Sequence, residues 1–214
     1  MSKPKTDLAL KVRDKTLEIL MEKEPEEIST RDIAKACGVT TTCIYYYYKN
    51  MEALFTEVKF FCIKELDKFM FDQVAKKSEK CRKSGKNLNP LEEFRIGLEV
   101  FRDWAFANPR IALLIMERMK ADIDNPEKAM NKYYQIHIFA KSLIDRAVEA
   151  GLSDSKDTLQ DASLCIAALW GAIESVLLNR TIPRYWSKRG GLDFTNKMID
   201  LLLASLMKRA DKKN

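Results

Sequence analysis

Residues 28–55 read ISTRDIAKACGVTTTCIYYYYKNMEALF, and this stretch predicts two short helices joined by a glycine turn. A hydroxyl group of Ser29 or Thr30 can cap the first helix, and Asp32 adds negative charge to its first turn. Gly38 stands where a helix commonly ends in a left-handed residue, a conformation that glycine adopts without steric cost. The inward, apolar side of this helix consists of Ile33, Ala34 and Cys37. The pattern indicates a helix-turn-helix.

The second helix begins after Val39, with Thr40 as its expected cap, and it contains four consecutive tyrosines. Consecutive helical residues point in different directions, so about two of these tyrosines belong to the core or its rim whatever the function. We expect Ile44 on the inward side together with Tyr47 or Tyr48, and we favour Tyr48 as the core residue. The outward positions are Thr41, Thr42, Tyr45 and Tyr46.

A pair of helices this short cannot bury a core alone, and residues 7–23 supply a third helix. Apolar residues recur there at helical spacing, with charged residues between them. The apolar set is Leu8, Val12, Leu17, Ile19, Leu20 and Met21. These three helices form the predicted N-terminal domain, residues 1–50.

The stretch from Thr30 to Phe55 resembles the DNA-binding domain of the TetR (tetracycline-repressor-like) family of bacterial transcriptional regulators. That family has an alanine-rich helix ending in glycine-valine, then a recognition helix ending in an aromatic run. A long helix follows, and it begins with a basic-polar-lysine-acidic-x-leucine motif. The corresponding segments here are residues 33–39, 44–48 and 49–54. The sequence departs from the family at Met51, where a lysine usually holds a DNA phosphate, and at Tyr48, where phenylalanine is usual.

The resemblance implies an all-α fold, with a three-helix DNA-binding head and a larger helical ligand-binding and dimerisation domain at residues 51–214. It also implies which side chains meet double-stranded DNA. The base-facing set is Thr41, Thr42, Cys43 and Tyr45, and the backbone-facing set is Tyr46, Tyr47 and Lys49. Thr30 and the Lys3-Pro4-Lys5 arm are further candidates for phosphate contacts, although the arm is interpreted as a disordered tail in preference to a DNA contact.

None of the base-facing residues is charged. Threonine can donate to or accept from any base, and its methyl group can contact thymine. We therefore expect readout through hydroxyl groups and apolar contacts, with much of the affinity supplied by phosphates.

The chain of 214 residues is 46% hydrophobic and has only 7 Gly and 6 Pro, without the alternating pattern of strands, which favours an all-helical protein. No run approaches the roughly 20 apolar residues of a membrane span, and the charged N-terminus lacks a signal-peptide core. We expect a cytoplasmic protein without a membrane partner. Five cysteines without paired short spacing indicate neither disulfides nor a metal site, and no cofactor is predicted.

The formal net charge of +6 is compatible with DNA binding but does not establish it. Residues 1–50 hold nine Lys/Arg and eight Asp/Glu, so the predicted head is almost neutral. The positive excess lies at residues 76–86 and from Arg180 onward. We interpret these stretches as a solvated loop and a solvated tail in preference to nucleic-acid contacts.

Past residue 50 the sequence predicts a succession of amphipathic helices. A long helix is expected at 51–75, followed by a break from Ser78 to Pro90. Asn-Pro pairs, Gly151 and the segment 183–191 separate the later helices. These are expected at 91–107, 109–120, 126–150, 156–179 and 193–209.

The last two helices are apolar around much of their circumference and need partners on more than one side. By resemblance, the helices at about 156–179 and 193–209 pair with their twins across a two-fold axis and form a homodimer. Small residues that would permit close approach are Ala167, Ala168, Gly171, Ala172 and Ser175. The alternative is burial within one subunit.

By resemblance, the middle helices enclose a small-molecule effector. Most of their aromatic and sulfur-containing residues must be core, and the favoured ligand contacts are Trp104, Tyr133, His137 and Trp170. His137 is the only histidine. It is interpreted as an interior residue and not a metal ligand, because no second histidine or cysteine lies at ligand spacing.

The sequence therefore predicts a transcriptional repressor and not an enzyme, since no nucleophile with a base and no carboxylate cluster can be recognised. A homodimer would bind a palindromic operator and leave it when a small, apolar ligand binds the C-terminal domain. The alternative is a helical protein-interaction module with a vestigial DNA-binding head, which Met51 and the near-neutral head favour slightly. Activation in place of repression stays open.

Overall fold

The computed structural model describes residues 7–116, 130 and 133–208. Within these ranges the regular structure is helical apart from an isolated bridge between Ser153 and Met207, which confirms the all-α prediction. The described residues form two compact units, one reaching Glu65 and the other beginning at Leu66. The predicted division of roles at residue 50 stays a prediction.

Between residues 7 and 65, the first unit contains three short helices and the beginning of a long one. They are α1 (Asp7–Leu20), α2 (Thr30–Cys37), α3 (Thr41–Tyr47) and α4 (Met51–Lys83), with a 3-10 turn at Pro25–Glu27 before α2. Helix α1 packs against both α2 and α3, as the sequence predicted. Their common core contains Val12, Ile33, Ile44, Leu54 and Val58.

The ends of α2 follow from local sequence signals. The backbone N–H of Ser29 donates to the Asp32 carboxylate at 2.9 Å, and the Ser29 hydroxyl accepts from the Asp32 N–H. Gly38 ends the helix with φ of 69°, as expected. The predicted side-chain cap of α3 is wrong, because the Thr40 hydroxyl donates to the Cys43 sulfur at 3.3 Å and does not accept a backbone N–H of α3.

In the part of the chain that the structure describes, the second unit contains the rest of α4 and five further helices. They are α5 (Pro90–Ala107), α6 (Pro109–Met116), α7 (Gln135–Glu149), α8 (Thr158–Leu177) and α9 (Lys188–Leu206). Helix α5 packs against α7, α8 and α9, and α8 packs against both α7 and α9. The central position of α5 follows from its nearly continuous row of buried residues, which include Phe94, Leu98, Phe101 and Ala105.

A buried carboxylate joins three helices of this unit. Glu93 of α5 accepts from Arg82 of α4 at 2.5 Å and from Arg146 of α7 at 2.8 Å. Burial of a carboxylate requires such partners, because an unpaired charge in the interior is costly.

Helix α4 is longer than predicted. The break expected from Ser78 is wrong, since α4 continues to Lys83 and the chain turns at Gly85, where φ is 80°. Ser78 is buried within the helix. On the exposed side of the helix, Lys83 forms an ion pair with Glu79, one turn earlier, and this pair stabilises the last turns of α4.

Helix α9 begins five residues before the predicted start at Asp193. The Ser187 hydroxyl caps it by accepting from the N–H of Gly190 at 3.1 Å. The prediction that Gly190 and Gly191 separate two helices is wrong, because both lie inside α9 and pack closely against neighbouring atoms. A Cβ on Gly190 would lie 2.2 Å from the carbonyl oxygen of Arg184.

Several predicted segments lie outside the described residues. They are the Lys3-Pro4-Lys5 arm, residues 117–120 of one predicted helix, residues 126–129 and 131–132 of the next, and Arg209. In the ranges that are described, no helix combines the length and the apolar character needed to cross a membrane.

Candidate nucleic-acid interface and ligand cavity

Helix α3 is fixed in the first unit by its inward residues. Ile44 is fully buried, and Tyr48, which follows the helix, donates its hydroxyl to the carbonyl oxygen of Ala9 at 3.0 Å. Burial raises the pKa of Tyr48 to about 12, so this phenol stays a neutral donor. The prediction that Tyr48 is a core residue is confirmed.

The opposite side of α3 is open to solvent. Tyr45 and Tyr46 are 51% and 62% exposed, and Thr42 is exposed as well. Thr41, Cys43 and Tyr47 are half-buried at the edges of this side. The Tyr46 ring meets the Tyr47 ring edge-on with centroids 4.9 Å apart. The predicted outward set thus shares one accessible side of a rigid helix.

A hydrogen bond joins α3 to the first turn of α2. The hydroxyl oxygens of Thr30 and Tyr45 lie 2.9 Å apart. Sequence reasoning placed both residues at DNA but did not pair them, because no local pattern connects positions 15 residues apart. We call Thr30, Thr41, Thr42, Cys43, Tyr45, Tyr46, Tyr47 and Lys49 the recognition surface.

The start of α4 adds one residue that sequence reasoning missed. The side-chain oxygen of Asn50 accepts from the N–H of Ala53 at 2.8 Å, the geometry of a helix cap. An Asn before a helical run was the signal for it. Lys49 is exposed beside this cap, whereas Met51 is half-buried in the first turn of α4.

The charges near the recognition surface are few. Helix α3 carries no ionisable group other than tyrosine and cysteine, and the nearest cation in sequence is Lys49. In α2, the hydroxyl and the backbone N–H of Ser29 lower the pKa of the Asp32 carboxyl, so this group remains an ionised cap at neutral pH.

An apolar cavity of about 40 Å³ lies within the second unit. A water molecule requires roughly 10–15 Å³ of cavity volume measured in the same way, so this cavity has room for only a few water-sized groups. None of the lining residues that the structure describes is charged. They are Met70, Phe94, Gly97, Leu98, Phe101, Ile136, Phe139, Ala140, Leu143, Ile166 and Trp170.

Among the predicted ligand contacts, Trp170 lies on the cavity wall. Its ring stacks on Phe101 with centroids 5.4 Å apart, and Trp104 stacks on Phe101 at 6.3 Å without joining the wall. Tyr133 and His137 also lie off the wall. Burial lowers the pKa of His137, which keeps the imidazole neutral near pH 7.

Helix α8 presents an apolar stripe to solvent in the described chain. Its exposed positions recur at helical spacing, and Leu164 is 59% exposed. The stripe consists of exposed Leu164, Ala167 and Gly171, half-buried Ser175, and exposed Leu178, which directly follows the last residue of α8. On α9, Leu201 is 55% exposed and borders an open groove of about 510 Å³ that Tyr185 and Phe194 also line. We call the stripe, Leu201 and this groove the α8–α9 surface.

The first unit matches a known protein family. Residues 12–58 match the model of the bacterial regulatory proteins of the tetR family. No curated protein matches the chain.

Solved structures resemble nearly the whole chain. FadR from Bacillus subtilis, in complex with stearoyl-CoA, is 13% identical with a TM-score of 0.66 over 92% of this chain and 98% of that one. The fatty acid degradation regulator FadR from Bacillus halodurans is 16% identical with a TM-score of 0.64 over 97% and 100%.

A third similar structure is a TetR family transcription regulator from Marinobacter aquaeolei VT8, at 11% identity and a TM-score of 0.64 over 94% and 96% of the two chains. Identities this low speak for the fold alone. The predicted resemblance is therefore confirmed, because residues 12–58 carry the sequence signature of the tetR regulatory family and the chain has the fold of TetR-family transcription regulators.

Proposed function

We propose that the protein is a transcriptional repressor that binds a palindromic operator as a homodimer and releases it when a small, apolar ligand fills the cavity of the second unit. The observation that carries this proposal is the recognition surface. Helix α3 is held by buried Ile44 and Tyr48 while its other side is open, which is the presentation that a recognition helix needs to enter a major groove.

Base readout is assigned to Thr41, Thr42, Cys43 and Tyr45. Their hydroxyl, thiol and ring groups offer hydrogen bonds and apolar contacts and no bidentate cation. Tyr46, Tyr47, Lys49 and Thr30 are assigned to the DNA backbone, where they would fix the register of α3 without reading sequence.

The α8–α9 surface is assigned to the homodimer. Exposed apolar residues at helical spacing on α8, with small residues at Ala167 and Gly171, suit close packing against a second copy. A two-fold dimer would present two copies of α3, which explains the expectation of a palindromic operator.

The ligand is assigned to the cavity. Because the described residues of its wall are apolar and uncharged, the part of a ligand that enters it must be apolar too. The similarity of fold to a FadR crystallised with stearoyl-CoA supports an effector with a hydrocarbon chain.

Helix α4 is the proposed lever of release. It contributes Leu54 and Val58 to the core of the first unit and Met70 to the wall of the cavity. A ligand that needs more room than about 40 Å³ must displace wall residues, and displacement of Met70 would favour a different position of α4.

The test is selection of bound sequences from random DNA duplexes, followed by equilibrium binding of the enriched duplex with and without saturating stearoyl-CoA or stearic acid. We expect an enriched palindrome and a loss of affinity of about 5- to 150-fold with ligand. A pool without enrichment would reject sequence-specific DNA binding. Unchanged affinity in the presence of bound ligand would reject the release step alone.

A further inference from the structure

Gly97 lies in the middle of α5, where glycine is unfavourable. A glycine inside a helix loses more conformational freedom on folding than alanine would. Such a position therefore calls for a reason, and glycines usually have one of two: a left-handed backbone or a neighbour too close for a Cβ.

Neither reason applies to Gly97. Its φ is not positive, in contrast to Gly38, where φ is 69°. A Cβ built on Gly97 meets no heavy atom of the described residues within 4 Å, whereas one on Gly191 would lie 2.7 Å from Cγ1 of Val176. Among these residues, alanine would fit at position 97 without strain or collision.

The space in front of Gly97 is the cavity itself. Gly97 is one of its wall residues, one helical turn from Phe94 and Phe101 on the same helix. A larger residue would therefore fill room that the wild-type protein leaves empty. With glycine at this position, the wild-type protein is less stable than it would be with alanine.

We infer that Gly97 determines how long a hydrocarbon chain the cavity accepts, an inference that rests on the proposed ligand-binding function. The occupant is the unbranched hydrocarbon portion of a ligand, because the cavity is small and the wall residues that the structure describes carry no charge. The polar end of the ligand stays outside this apolar wall. A free acid, an alcohol and a thioester share the required chain.

The experiment compares full-length wild type with Gly97→Ala and Gly97→Leu by titration calorimetry. The probes are octanoic, dodecanoic and hexadecanoic acids, with the matching alcohols and coenzyme A thioesters. Ala107→Leu adds the same side chain to an exposed position of α5 away from the cavity and is the matched control.

Gly97→Leu should weaken binding of the hexadecanoyl chain by about tenfold or more, because each methylene group kept out of an apolar site costs roughly fourfold in affinity. Binding of the octanoyl chain should change little. Gly97→Ala should bind the hexadecanoyl chain with an affinity between those of wild type and Gly97→Leu. It should also raise Tm by about 2–4 °C, since it removes the penalty of a helical glycine. The control should bind like wild type.

The outcomes separate the inference from the proposed function. If wild type binds the chains and both Gly97 variants keep its dependence on chain length, the role of Gly97 is overturned and the ligand-binding function stands. If Gly97→Leu loses its helical circular dichroism, the profile of Gly97→Ala decides. If wild type binds no probe, the hydrocarbon ligand and the role of Gly97 fall together, while DNA selection still tests the regulator.

Discussion

The hydroxyl groups of Thr30 and Tyr45 are 2.9 Å apart and hold the recognition surface together across two helices. This bond restrains a tyrosine ring that is otherwise half in solvent. A restrained side chain loses less freedom on binding, so the contact should contribute to DNA affinity although it is made within the protein.

Thr30→Val removes the hydroxyl and nearly keeps the shape of the side chain. We expect it to weaken binding to the selected duplex by about fivefold, the equivalent of one ordinary hydrogen bond near 1 kcal/mol. Tyr45→Phe should have a similar effect, and the double variant should lose no more than either single one. Thr30→Ser keeps the hydroxyl and is the control. Additive losses in the fluorescence-anisotropy cycle would show that the two residues act separately.

Lys49 and Thr41 are expected to differ in kind. Lys49→Ala should weaken binding to selected and random duplexes alike and make the salt dependence shallower by about one unit of slope, because a phosphate contact is lost. Thr41→Ala should weaken only the selected duplex and leave the slope unchanged. Titrations at several salt concentrations distinguish these results. Equal losses on both duplexes for both variants would contradict the division of roles.

The sequence was most informative where structure depends on neighbours in the chain. Ser29, Asp32 and Gly38 fixed the ends of α2, and apolar spacing placed Ile44 and Tyr48 in the core. Local signals failed where distant contacts decide. Ser78 looked like part of a loop but is buried in α4, and Gly190 looked like a separator but packs against Arg184.

The two candidate sites differ in the same way: the recognition surface depends mainly on local sequence, and the cavity depends on contacts between distant residues. The accessible side of α3 follows from the period of one helix, so its residues could be predicted. The cavity depends on four helices, and periodicity does not say how they tilt. This is why only Trp170 of the four predicted ligand contacts lies on its wall and why Gly97 was not predicted.

Leu164 tests the α8–α9 surface. Leu164→Glu places a charge at the N-terminal end of the apolar stripe, where burial in a dimer would leave it unpaired. We expect monomers in sedimentation experiments at concentrations where wild type is dimeric. Met21→Glu changes an exposed apolar residue of the first unit and is the control. A dimer that survives Leu164→Glu with unchanged affinity would exclude this surface as the interface.

The buried carboxyl group of Asp67 should make the free energy of unfolding depend on pH. Burial raises the pKa of this carboxyl to about 6, so the folded protein prefers its neutral form. The pKa of Asp67 in the folded state lies above its value in the unfolded state. The contribution of neutral Asp67 to the free energy of unfolding is therefore fully present below about pH 4 and is lost as the pH rises through 6. The loss is of the order of 3 kcal/mol.

Asp67→Asn should remove this loss, since asparagine stays neutral. The variant should therefore melt at a higher temperature than wild type at pH 7, and the difference should shrink toward pH 4. Thermal unfolding from pH 4 to pH 8 measures both curves. Asp154→Asn, at an exposed position, is the control. Parallel curves for wild type and Asp67→Asn would contradict a raised pKa at Asp67.

Between Thr41 and Tyr47, α3 is free of formal charge. Ionic strength weakens attraction to phosphates but has little influence on hydroxyl and apolar contacts with bases. A regulator built in this way loses occupancy on every duplex as salt rises, yet keeps its preference for one site over another. The ionic state of the cell would then set how many sites are occupied and leave the choice of genes unchanged.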